Sequence, residues 1–114
     1  MIRRGDVWWA DLPDPEESEP GYTRPVVVVQ ADWANQTPLK TVIVAMLSSN
    51  AALANRPGNV LVTPRDSGLR KPSVAIVSQL LTLNKTNLRD HIGTLPDAVM
   101  RAVDDGLLLI LELR

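Results

Sequence analysis

The apolar residues of this chain fall in short β-branched runs until its C-terminal stretch, where they change to a helical spacing. DVWWADL at 6–12 reads as a first strand. Its alternation sends Trp8, Ala10 and Leu12 to one face and Val7, Trp9 and Asp11 to the other. Residues 24–31 and 41–47 predict two further strands, dense in Val, Ile and Thr. The polar stretch 32–40 joins them as a loop. Asn55-Arg56-Pro57-Gly58 is a turn, 59–63 a strand, and PRDSGLRKP at 64–72 a loop. Residues 73–77 and 79–83 predict two strands or one bent strand. Residues 84–90 predict one or two helical turns, with Asn84 or Thr86 as cap.

The C-terminal pattern is different. Thr94-Leu95-Pro96-Asp97 supplies a capping residue, a first-turn proline and an early acid. Val99, Val103, Leu107, Ile110 and Leu111 then share one helical stripe. Gly106 interrupts that helix at about 1 kcal/mol relative to alanine, so it is expected to have a packing reason. The pattern as a whole predicts a mostly β fold, a small curled antiparallel sheet closed by a C-terminal helix, with α+β as the alternative class label.

Composition narrows the chemistry. The 114 residues suit one domain spanning 1–114, and 45% apolar with 22% charged is ordinary for a globular protein. With no cysteine, disulfides, thiolate metal sites and a cysteine nucleophile are excluded, as fits a reducing compartment. His91 is the only histidine, so a multi-histidine metal site is excluded and a structural role is expected for it. No segment reads as a signal peptide, and the apolar run 107–111 is too short to span a bilayer, so no membrane partner is expected. The net charge of −1 gives no hint of nucleic acid, so any such binding needs a local basic surface.

The candidate chemistry lies where two strands meet. A pairing of strands 24–31 and 41–48 symmetric about the 32–40 loop puts Arg24 opposite Ser48. Opposed residues of an antiparallel pair share a face, with Cβ atoms roughly 5 Å apart. The loop 13–23, with three prolines, a glycine and four acids, arrives at the same end. An arginine presents a fixed fork of donors that matches a phosphate, and a serine hydroxyl can donate beside it. Together they could hold a phosphodiester and stabilise the charge of a phosphorane-like transition state. In RNA the neighbouring 2′-OH would supply the nucleophile. The same residues could instead tie down a loop and cap a strand end.

Other residues carry two readings each. Arg56, Arg65, Arg70 and Lys71 could line an RNA groove through phosphate contacts, or be solubilising charge. Trp33 and Asn35, in the 32–40 loop, could stack on and read an unpaired base, or pin the loop. Trp9 is either a half-covered surface aromatic or an interface anchor.

Five segments in order resemble the MazF/PemK toxins, the ribonuclease halves of bacterial toxin–antitoxin pairs. They are RGDVWWADL at 4–12, ESEPGYTRPVVVVQ at 17–30, TVIVAMLSS at 41–49, SQLLTLNKTNL at 78–88 and IGTLPDAVMRAVDDGL at 92–107. The resemblance implies an SH3-like small β-barrel with a C-terminal helix, and a homodimer in the bacterial cytoplasm. It implies a cofactor-free, metal-independent endoribonuclease that cuts single-stranded mRNA to 2′,3′-cyclic phosphate and 5′-hydroxyl ends. A cognate antitoxin would neutralise it. It makes Arg24 and Ser48 catalytic, with Ser48 where the family usually has threonine, and gives Glu19 a supporting role. Ser18 of the same loop and Gln79 become RNA contacts. Glu17 and Pro20 depart from the family's loop, and Leu81 stands where many relatives carry arginine. The alternative is a non-enzymatic inhibitor on the same barrel, such as a CcdB-like gyrase poison, or a decayed family member.

Overall fold

The computed structural model describes residues 1–12 and 22–114. Among these residues, six strands form one sheet: β1 (Asp6–Asp11), β2 (Thr23–Val28), β3 (Thr41–Ser48), β4 (Val60–Val62), β5 (Ser73–Asn84) and β6 (Leu88–Thr94). All neighbours pair antiparallel, in the order β4-β5-β3-β2-β1-β6. The two edges, β4 and β6, do not pair with each other, so the curled sheet is a half-barrel. Helix α3 (Asp97–Ile110) lies against β4 and β5. The mostly β class with a C-terminal helix is therefore observed.

Strand alternation divides the apolar residues into two cores. Val7, Val27, Ala45, Leu47 and Val77 pack with Met100 and Val103 of α3. Ala10, Val26, Val28, Val42 and Val44 form the second core with Leu83 and Leu88, and Trp8 and Leu12 pack against it. The expected split of β1 into a Trp8 face and a Val7 face holds. Burying a side chain the size of valine contributes about 1.5–3 kcal/mol, so the β-branched runs are the main stabilising element.

Several expectations need correction. The 32–40 loop opens with a helical turn, α1 (Asp32–Asn35). The 64–72 loop opens with α2 (Pro64–Ser67), where Thr63 caps the N–H of Asp66 and Pro64 takes the first helical position. Of the two alternatives for residues 73–83, the single bent strand is observed, as β5. The stretch 84–90 is helical only as a 3₁₀ turn at Lys85–Asn87, and Leu88 onward is the edge strand β6. Thr94 does not cap α3. Its hydroxyl donates to Asp6 Oδ1 at 2.9 Å, and the cap position falls to Pro96, with no side-chain hydrogen bond.

The packing reason for Gly106 is visible. A Cβ there would run into the carbonyl oxygen of Gly58, in the 55–58 turn. Gly58 has φ +85°, a left-handed conformation that glycine adopts without strain. The two glycines let α3 press its backbone onto the turn. Beyond that contact the stripe surfaces: Ile110 and Leu111 are exposed. No helix among the described residues is long and apolar enough to cross a membrane.

Candidate functional site

β2 and β3 pair as Val26↔Met46, Val27↔Ala45 and Val28↔Val44, the symmetric register expected from the sequence. Continued by two residues, that register sets Arg24 opposite Ser48. Both line one cleft of about 670 Å³ at this end of the sheet. Trp9 forms part of its wall from β1, where it pairs with Pro25.

The far wall comes from an irregularity in β5. Ala45 pairs with Leu80 and Met46 with Ile76, so residues 77–79 have no partner on β3. This bulge bends the strand and brings Gln79 into the cleft lining. The bulge is held from outside: Asn59 Oδ1 accepts the N–H of Val77 at 3.2 Å, and Asn59 Nδ2 donates to the carbonyl of Leu53.

Ser48 ends β3. Its Oγ accepts the N–H of Asn50 at 3.2 Å, so a strand-end capping role is real. A hydroxyl has a proton besides its lone pairs, so this bond leaves Ser48 able to donate to a ligand oxygen. Asn50 in turn caps the 3₁₀ turn at Ala51–Asn55, which carries Leu53 to the cleft edge.

Arg70 and Lys71 also line the cleft. They follow Gly68, at φ +82°, and the buried Leu69, whose N–H is held by Ser67 Oγ at 2.9 Å. Burial of Leu69 thus fixes two exposed cations at the rim. Among the described residues the lining holds three cations, Arg24, Arg70 and Lys71, and no acid. In a chain of net charge −1, the described residues of this cleft thus carry a local excess of positive charge, suited to a phosphate backbone.

Tyr22 is a further lining residue, missed in the sequence. The Arg24 guanidinium carbon lies over its ring, 5.2 Å from the centroid. Residues two apart on an extended chain share a side, and that alternation was the signal that could have found it.

Other sequence candidates lie elsewhere. Trp33 is 77% exposed on α1, at the opposite end of the β2–β3 hairpin from the cleft. Asn35 is buried: its Nδ2 donates to the Gln30 carbonyl and to Asp32 Oδ1, and its Oδ1 accepts from Gln30 Nε2. That amide pins the loop. Arg56 and Arg65 are exposed and do not line the cleft. Leu81 pairs with Val44, past the bulge and away from the lining. His91 stands 5.1 Å from the Trp8 ring and 3.4 Å from Asp6 Oδ1, a setting outside the cleft. Ser18 and Glu19, with Glu17 and Pro20, lie outside the described residues.

Comparison with known proteins matches residues 3–111 to the model of the PemK-like, MazF-like toxin of type II toxin–antitoxin systems. The chain is 44% identical over 113 residues to Endoribonuclease MazF6 of Mycobacterium tuberculosis, covering 99% of both chains. It is equally similar to Endoribonuclease MazF2 of Mycobacterium bovis. Among solved structures, a mycobacterial endoribonuclease in complex with its cognate antitoxin superposes with a TM-score of 0.81 at 25% identity, covering 100% of this chain and 98% of that one. The M. tuberculosis toxin MazF-mt6 gives 0.79 at 21% identity, covering 96% and 98%, and so matches in fold.

Proposed function

The chain belongs to the PemK-like, MazF-like toxins of type II toxin–antitoxin systems, and on that premise we propose that it is an endoribonuclease acting on single-stranded RNA at the Arg24–Ser48 cleft. The observation that carries the reading is the meeting of Arg24 and Ser48 beside Arg70 and Lys71 in one lining that is acid-free among the described residues. The relatives named as endoribonucleases, matched over 99% of the chain, support it.

The chemistry follows from what these groups can do. The substrate's 2′-oxygen attacks the adjacent phosphorus and gives up its proton. The bond from phosphorus to the 5′-oxygen breaks, and that oxygen gains a proton. The products are a 2′,3′-cyclic phosphate and a 5′-hydroxyl. Arg24 faces the charge that builds on the non-bridging oxygens, and Ser48 donates to one of them. Arg70 and Lys71 hold flanking phosphates, and Gln79 contacts the strand across the cleft. Glu19, which precedes Arg24 in the sequence, is the supporting acid. None of these steps calls for a metal.

The assembly reading is a cytoplasmic homodimer neutralised by an antitoxin that covers the cleft. An apolar groove of about 430 Å³, lined by Val29, Ile43, Leu80, Leu107 and Leu111, supports the dimer. Leu113, which also lines it, is more than half exposed, as is Leu109 of α3.

The test is direct. Purified protein is incubated with a long single-stranded RNA plus EDTA, and the cut ends are mapped. Discrete cuts with 5′-hydroxyl ends, lost in Arg24→Ala, are expected. Intact RNA at micromolar protein, or cuts indifferent to Arg24→Ala, would overturn the reading.

A further inference from the structure

We propose that Tyr22 is a positioning residue: its ring lies against the Arg24 guanidinium, and among the described residues no carboxylate occupies that guanidinium, which is left to bind the scissile phosphate. The proposal rests on the nuclease reading above. Among the described residues two arginines are paired with carboxylates, and Arg24 is the one set over an aromatic ring. Arg4 is tied to Asp104, and Arg89 to Asp11 Oδ2 at 2.7 Å. Such pairs use the edge donors of the guanidinium and offset its charge. Among the described residues Arg24 has no carboxylate partner, and its neighbour is the Tyr22 ring at 5.2 Å. A ring attracts a cation through its quadrupole without offsetting its charge as a carboxylate does.

The ring itself is anchored. The N–H of Leu12 donates to the carbonyl of Tyr22 at 2.9 Å, which carries the β1–β2 ladder one residue past the Asp11↔Thr23 pair. The Tyr22 backbone is therefore fixed, and its side chain falls on the Arg24 side of the strand. Tyr22 is exposed, at 37%, and lines the cleft. An arginine at a strand end would otherwise sample many rotamers. The ring restricts them without neutralising the charge that catalysis needs.

The consequence is kinetic. Arg70 and Lys71 share ground-state phosphate binding with Arg24, so a loosened Arg24 should act chiefly on the step in which new charge develops. Removing the ring, in Tyr22→Leu, should lower kcat by about 3- to 30-fold, the range of a cation–π contact, with KM within about twofold. Tyr22→Phe keeps the ring and should stay within about twofold of the parent. Wild-type kinetics in Tyr22→Leu, or a loss confined to KM, would overturn the proposal.

A second readout needs no RNA. By NMR on the free protein, the Arg24 Nε–H signal should carry an upfield ring-current shift in the parent and in Tyr22→Phe, and lose it in Tyr22→Leu. A signal indifferent to Tyr22→Leu overturns the contact. Intact RNA with the parent protein overturns the nuclease reading and the catalytic half of the proposal, while the ring-current result still decides the contact.

Discussion

The carbonyl oxygen of Gly58 occupies the space that a side chain on Gly106 would need. Helix α3 therefore meets the 55–58 turn backbone to backbone, with Val77 closing the contact from β5. Gly106→Ala, normally a gain for a helix, should here force the helix off the turn. The expected loss is about 1–3 kcal/mol, the usual cost of overpacking. Thermal unfolding followed by circular dichroism checks it, and an unchanged or raised Tm would show that the turn yields freely.

Ser48 gives a prediction with a sign on each side. Ser48→Thr keeps the hydroxyl and adds a methyl that restricts χ1, so cleavage should be retained or raised. Ser48→Ala removes a hydrogen bond to a charged oxygen, worth about 1.5–3 kcal/mol, and should slow cleavage by about 10- to 100-fold. Single-turnover rates on a fluorogenic RNA measure both. Abolished cleavage in a folded Ser48→Thr protein would count against the serine's assigned place.

The basic residues separate by position. Arg70 and Lys71 line the cleft, whereas Arg56 and Arg65 do not. Binding of a non-cleavable 2′-O-methyl RNA should weaken with salt. Arg70→Ser and Lys71→Ser should each reduce the log–log salt slope by about 0.7, the value for one phosphate contact on a single strand. Arg56→Ser and Arg65→Ser should leave the slope unchanged. A slope reduced equally by all four would mean that diffuse charge, not the cleft, holds the RNA.

Asn35 should behave as a structural residue. Its amide is shared between Gln30 and Asp32 in a buried position. Asn35→Ala leaves polar groups there unsatisfied, at about 1–3 kcal/mol. Urea unfolding should show that loss, while the rate per folded molecule stays at the parent value. A normal midpoint with impaired cleavage would restore the base-reading role.

What the sequence disclosed depended on how each segment is buried. β2 and β3 were legible with their register because Val26, Val27 and Val28, like Val44 and Ala45, are buried in succession on both faces and so read as continuous apolar runs. β6 was not, because it is an edge strand. Its Arg89, Asp90 and His91 are exposed, so no alternation marks it, and Asn84, Thr86 and Asn87 mimic a helix start. α2 carried a capping threonine and a first-turn proline but is a single turn with no stripe. Arg24 and Ser48 were legible through hairpin symmetry. The β5 bulge that delivers Gln79 was not, since it depends on Asn59 from a distant turn accepting the N–H of Val77.

The cleft draws on Trp9, Arg24, Ser48, Lys71 and Gln79, contributed by successive stretches of the chain. No contiguous segment holds more than a fragment of it. A chain still emerging from the ribosome thus lacks the full lining until β5 has been made and paired with β3. Products truncated before β5 would lack Gln79 and the β3–β5 pairing. On the nuclease reading, the order of synthesis would itself keep the toxin inactive until most of its chain is made.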